Sequence, residues 1–155
     1  MADEVASRGA GRALAGPAFP DDDGAADPEL RARIAAGAPD VLERLRRARL
    51  LVAVVAVLDA VDDAGGDKES HMAVVSMVNA AGERGLLAFT GLDSLAAWDP
   101  AARPVPVAGP QAAQAALEDG ATALVIDVSG PVRLALVGAD LQALASADFR
   151  PAAAG

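Results

Sequence analysis

The chain has no cysteine and no tyrosine, and its 155 residues include one tryptophan, three phenylalanines, one lysine and one histidine. Without cysteine there is no disulfide framework, no thiol nucleophile and no thiolate ligand for zinc or an iron–sulfur cluster. So few aromatic rings leave little for a base-stacking platform. Positive charge is scarce as well: 13 basic against 22 acidic residues give −9 at neutral pH. That balance opposes general attraction to phosphate backbones or anionic lipid, and so argues against nucleic-acid and membrane partners. A lone histidine cannot make a two-histidine metal site, and the acids near it, Asp59, Asp62, Asp63, Asp67 and Glu69, miss the calcium-loop spacing. No metal and no cofactor are expected. Long apolar runs are missing too. The longest, Leu50 to Leu58, falls far short of the roughly 20 residues that a helical membrane span needs. The acidic start Met1-Ala2-Asp3-Glu4 lacks the positive charge of a signal peptide, so a cytoplasmic location is expected. Alanine, by contrast, is abundant at 40 residues. With it set aside, the large apolar residues still make up about 27% of the chain, enough for the core of one domain.

Residues 1–26 show no periodicity and hold several Gly and Pro residues and the run Asp21-Asp22-Asp23-Gly24. They read as a disordered acidic arm with too little apolar surface to offset ordering entropy. Residues 27–149 read as the domain, and 150–155 as a flexible tail. Asp27-Pro28-Glu29 is a coherent helix start, with Gly37 as its stop. A second helix is expected from Pro39-Asp40 to about Arg49, its last turns crowded with Arg44, Arg46, Arg47 and Arg49. Cations there complement the negative end of the helix dipole; the competing reading is an anion-binding patch.

From Leu50 onward, short apolar runs divided by Gly, Pro and Asp predict strands at about 51–58, 73–78, 86–90, 104–107, 123–128 and 132–137. Asn79 to Gly85 and Ser129-Gly130-Pro131 predict two hairpins, the second tight. Thr90-Gly91-Leu92-Asp93 predicts a capping box opening a short helix that Pro100 stops. Gly109-Pro110 and Gly120 bracket another helix, and a last one is expected from Asp140 to about Ser146. The two strand–helix–strand crossovers imply parallel strands and the hairpins antiparallel ones. The expected fold is therefore α/β (α+β): a mixed sheet of about five to six strands flanked by short helices, in a single domain. Pro104 and Pro106 mark an edge or irregular strand.

Several segments in this region resemble a known family. They are Gly66-Asp67-Lys68-Glu69-Ser70-His71-Met72-Ala73-Val74-Val75, then Leu87-Ala88-Phe89-Thr90, then Leu95-Ala96-Ala97-Trp98-Asp99-Pro100-Ala101-Ala102-Arg103-Pro104-Val105-Pro106-Val107. Ala123-Leu124-Val125-Ile126-Asp127 and Gly130-Pro131-Val132-Arg133 follow. Together they look like the SseB N-terminal domain, the "enhanced serine sensitivity" family, in its actinobacterial form. The resemblance spans roughly residues 38–147, and the Trp-Asp-Pro-x-x-Arg-Pro-Val-Pro block is its most specific part. It implies a small cytoplasmic α/β domain of unknown biochemical activity, and it supplies no catalytic residues to carry over.

Catalytic constellations are otherwise missing from the pattern. Gly9-Ala10-Gly11-Arg12-Ala13-Leu14 has Leu14 where a dinucleotide fingerprint needs its third glycine, and no strand precedes it. The only lysine, Lys68, follows Asp67 and not a glycine, which rules out a phosphate-binding loop. Ser70 and His71 are neighbours, so on extended backbone their side chains diverge, and no Gly-x-Ser-x-Gly elbow exists. Two groups remain as candidate binding residues. Asp67, Lys68, Glu69, Ser70 and His71 concentrate polar chemistry in a loop that leads into a buried strand. Their competing reading is a solvated strand entrance with weak ion pairs. Trp98 and Arg103 form the second group, competing with roles as a core anchor and, through Asp99, a pin for the turn. Asp127 and Arg133 read as structural. The expected function is a non-catalytic module for a protein partner, using the 59–72 loop and the nearby edge strand. The alternative is a sensor domain binding an amino acid or small anion. Oligomeric state is left open.

Overall fold

The computed structural model describes residue 19 and residues 21–58 and 70–147, the side chains at 56–58 and 70–72 being outside that description. Helix α1 runs Pro28–Ala36. Asp27 sits before it on extended backbone and accepts the Glu29 N–H at 2.9 Å, while Pro28 occupies the first turn, where its missing N–H costs nothing. Gly37 closes the helix at φ 64°, a left-handed conformation that glycine adopts without penalty.

Helix α2, Val41–Leu45, is shorter than its sequence suggests, because Arg49 already begins strand β1, Arg49–Leu58. Leu45 and Leu50 are both fully buried, so the chain must turn between them to enter the sheet. Gly109 permits the tight approach at that turn: a Cβ there would lie 1.9 Å from the Leu45 carbonyl oxygen.

Six further strands complete the sheet: β2 Ser70–Val74, β3 Ser76–Val78, β4 Arg84–Phe89, β5 Arg103–Ala108, β6 Ala123–Ile126 and β7 Leu134–Val137. Helices α3 (Leu92–Trp98), α4 (Gly109–Glu118) and α5 (Gly138–Ala145) connect or follow them. The result is one α+β unit with a mixed sheet of seven strands. The count exceeds expectation because the stretch expected as one strand divides at Val75. β1 and β4 pair directly only at Leu51↔Phe89 and Val52↔Ala88. Beyond that point they part, β2 running along β1 and β3 along β4. Val75 sits in the fork, donating to the Ala53 carbonyl at 2.9 Å and accepting from the Leu87 N–H at 3.1 Å.

β5 pairs along the other side of β1 through six residues, Arg49↔Ala108 to Val54↔Arg103. Both crossovers do join strands of like direction, as expected, but β1 lies between β4 and β5, and the one directly parallel pair is β4 with β6. β6 and β7 are antiparallel.

Strand alternation sorts the core onto two faces. Leu50, Val52, Val54, Leu86, Ala88, Leu124 and Ile126 meet helices α1, α2, α4 and α5 on the first face. Leu51, Ala53, Leu87 and Phe89 point to the second, which α3 covers through Leu95 and Trp98. β1 is thus buried on both sides from Leu50 to Val54, as its apolar run predicts, but Val55 is exposed. No helix among the described residues is long and apolar enough to cross a membrane.

Candidate functional site

Two features stand at the working edges of this sheet: a polar cluster where β4 and β6 end, and an uncovered half of the second face.

The polar cluster centres on Asp127. Its side chain is wholly buried, and its backbone takes φ 53°, a left-handed conformation uncommon outside glycine. One carboxylate oxygen accepts the Thr90 N–H and the other accepts the Thr90 hydroxyl, both at 2.7 Å. The hydroxyl in turn accepts Arg31 Nε at 2.7 Å, and Arg31 reaches Asp93 with both terminal nitrogens. This pair moves both titrations outward. The Arg31 hydrogen bonds hold Asp93 below the ordinary aspartate value, with the Ser94 N–H adding to them against the opposing effect of burial. The Asp93 carboxylate raises Arg31, again against burial. Thr90 therefore does not cap α3, as its sequence position suggests. Ser94 does so, accepting the Gly91 N–H at 3.3 Å and donating to the Gly91 carbonyl at 3.0 Å.

Arg49 completes the cluster. It donates to the carbonyls of Thr90 and Ala25, and its Nε lies 3.1 Å from Asp22 in an ion pair of poor hydrogen-bond alignment. Residues 21–26, the end of the expected arm, are held here, with Gly24 packed on Leu92 and its carbonyl accepting the Leu92 N–H at 2.8 Å. The rest of that arm, residues 1–18 and 20, and the expected tail 150–155 lie outside the described residues. Each guanidinium nitrogen of Arg31 and Arg49 faces an oxygen of the chain itself, although Asp22 Oδ2 is buried without a hydrogen bond, so the arrangement fastens the chain.

The residues singled out from sequence are distributed as follows. Asp67, Lys68 and Glu69 lie outside the described residues. The backbones of Ser70 and His71 open β2, opposite Leu58 and Val57. Trp98 is half-buried at the end of α3, its ring 5.7 Å from that of Phe89. Arg103 opens β5 opposite Val54 and shares the face of Val105 and Val107. The sheet therefore separates Trp98 from Arg103, although only five positions separate them in sequence. Asp99 pins its turn alone, accepting the Ala101 N–H at 2.9 Å, with no ion pair to Arg103 among the described residues. The arginine cluster is neutralised in place: Arg44 pairs with Asp40 and Glu29, Arg46 and Arg47 with Glu43, and Arg49 with Asp22.

What stays open is the second face beyond α3. A groove of about 580 Å³ runs across β3, β4, β6 and β7. Gly85, Ala123 and Ala135 make its floor, and Met77, Val125 and Val137 stand up from it. Met77 is 46% exposed and Val137 55%, high values for large apolar side chains. Glu83 and Arg133 lie at its two ends, and neither has an ion pair among the described residues; Asn79 donates to Glu83 at 2.9 Å. Sequence reasoning placed a strand at about 132–137 but missed this surface, because the run Leu134–Val137 is apolar throughout and shows no alternation to mark an open face. Among the described residues no group of three or more His, Cys, Asp or Glu side chains could hold a metal ion.

No curated protein and no solved structure matches the chain. The family model of the SseB protein N-terminal domain matches residues 29–143, from the first turn of α1 into α5. That span contains all seven strands, Asp127 with Arg31, Arg49, Thr90 and Asp93, and the open groove, and the chain belongs to the SseB N-terminal domain family.

Proposed function

We propose that this domain is a non-catalytic protein-interaction module whose partner docks on the uncovered half of the sheet. The observation that carries the reading is the contrast between the two polar and apolar surfaces just described. The buried Asp127 carboxylate at the ends of β4 and β6 is satisfied within the chain, whereas Met77, Val125 and Val137 line an apolar groove that no element of the described residues covers. Exposed apolar surface with a charged rim fits a protein contact better than a small polar ligand. Ser70 and His71 start β2 at the same end of the sheet as the Asn79–Glu83 turn, so in this reading the polar stretch Asp67–His71 extends the contact beyond the groove. The edge strand β5 contributes less than its position suggests. Its continuous ladder with β1 leaves Pro104 and Pro106 with their nitrogens toward the outer edge, where neither can donate to an added strand. An anion-sensing reading draws less support, since the arginines of residues 44–49 are matched by acids.

The test is site-specific photo-crosslinking in the native host, with the photoreactive residue at Met77, at Val137 or at exposed Ala35 on α1. The same protein, identified by mass spectrometry, is expected from Met77 and Val137 and not from Ala35. Absence of any adduct from both groove positions would overturn the reading, as would an identical set from all three.

A further inference from the structure

We infer that the protein docked on this groove is a second copy of the chain, packed face to face about a two-fold axis lying between the two sheets. The inference rests on the interaction reading above and names its partner. Its first support is the placement of charge. Register puts Gly85, Ala123 and Val137 side by side across β4, β6 and β7. Glu83 lies two residues beyond that row in one direction, and Arg133 four residues beyond it in the other, two strands away. With ~3.3 Å per residue and ~4.8 Å between strands, the two side chains occupy diagonal corners about 20 Å apart. A two-fold axis in the plane of the contact and perpendicular to that diagonal exchanges the corners. Glu83 of each copy then faces Arg133 of the other, and two charges that lack an ion pair among the described residues satisfy each other twice.

The second support is relief. The floor is Gly85, Ala123 and Ala135, and the raised side chains are Met77, Val125 and Val137. Sheets packed at ~10 Å interdigitate large side chains over small ones, and this face supplies both. The third is the local charge balance. In a chain of net −9, the charged residues lining the groove are Glu83, Arg84 and Arg133. The acidic excess that would drive two copies apart therefore lies elsewhere, and Arg84 is already paired with Asp119.

Sedimentation analysis of the full chain tests the inference, using the natural protein, Glu83→Arg, Arg133→Glu and the double variant. Both side chains are exposed, so circular dichroism should show all four folded alike. The natural chain should sediment as a dimer. Each single reversal should weaken the dimer about tenfold or more, and the double variant should restore it to within about threefold of the natural affinity. A chain that stays monomeric up to about 0.5 mM overturns self-association. So does a dimer that ignores the reversals and is lost with Ala135→Pro, because that result points to pairing along the edge of β7. A monomer that still crosslinks from Met77 and Val137 to one different protein overturns only this inference. A monomer without adducts overturns the interaction reading with it.

Discussion

Replacing Asp127 should cost more stability than replacing any other acid in the described chain, and the structure allows the cost to be sized. The wholly buried carboxylate accepts two short bonds from Thr90, one from N–H and one from hydroxyl, and its second oxygen lies 3.9 Å from Arg31 Nε. Asp127→Ala removes both acceptors and leaves the Thr90 N–H without its partner in a site closed to water. A hydrogen bond to a charged group contributes about 1.5–3 kcal/mol, and a buried donor left unmatched costs about 1–3 kcal/mol. Because these overlap, the expected loss is about 4 kcal/mol, a large part of the 5–15 kcal/mol that a domain possesses. Asp127→Asn keeps one acceptor and tolerates the left-handed backbone at φ 53°, so its loss should be about 2 kcal/mol. Asp93 is the control. Its side chain is 66% exposed, and Asp93→Ala should cost no more than about 1 kcal/mol despite two bonds to Arg31. Urea denaturation followed by the fluorescence of Trp98, the chain's only tryptophan, gives all three numbers from midpoint and slope. If Asp127→Ala and Asp93→Ala lie within about 0.5 kcal/mol of each other, burial does not govern the strength of this cluster and the reasoning fails.

Three further outcomes follow from the same geometry. Asp93 titrates below its ordinary value in the folded chain, so its contribution is complete above the unfolded aspartate pKa and is lost as pH falls through the folded one. Denaturation midpoints taken from pH 7 down to about 3 should show a steeper acid decline in the natural chain than in Asp93→Asn. Gly109→Ala would place its Cβ 1.9 Å from the Leu45 carbonyl oxygen, a backbone atom that cannot rotate away, and should destabilise by about 3 kcal/mol in the same assay. Replacing Pro104 and Pro106 together by threonine restores two donors on the outer edge of β5. Light scattering at raised protein concentration should then report aggregation that the natural chain lacks.

The bounds of α1 and α4 were legible in sequence because their chemistry is local, whereas the stop of α2 at Leu45 was not, being set by the entry of Arg49 into β1. Asp27, Pro28 and Gly37 bracket α1, and Pro110 and Gly120 bracket α4, within the expected positions. The split at Val75 was not, since neither glycine nor proline marks it and only the divergence of β1 from β4 creates it. Thr90 and Asp127 are 37 residues apart, so nothing in either neighbourhood announces that they meet. The pairing of Arg44 with Glu29 and of Arg49 with Asp22 was not legible, because those acids come from earlier segments of the chain, whereas Asp40 stands one helical turn before Arg44. Strand parity could have separated Trp98 from Arg103: Arg103 alternates in phase with Val105 and Val107, whereas Trp98 belongs to the helix on the far side.

The fork at Val75 has a mechanical meaning. Two β1–β4 pairs and the two bonds of that one residue are the backbone seam of the described sheet between a β5–β1–β2 leaf and a β3–β4–β6–β7 leaf. Side chains close what the ladder leaves open: α4 packs on β1, β4, β5 and β6 alike and α3 on both β1 and β4, so the helices act as splints across the fork and the groove-bearing leaf is held to its neighbour from both faces.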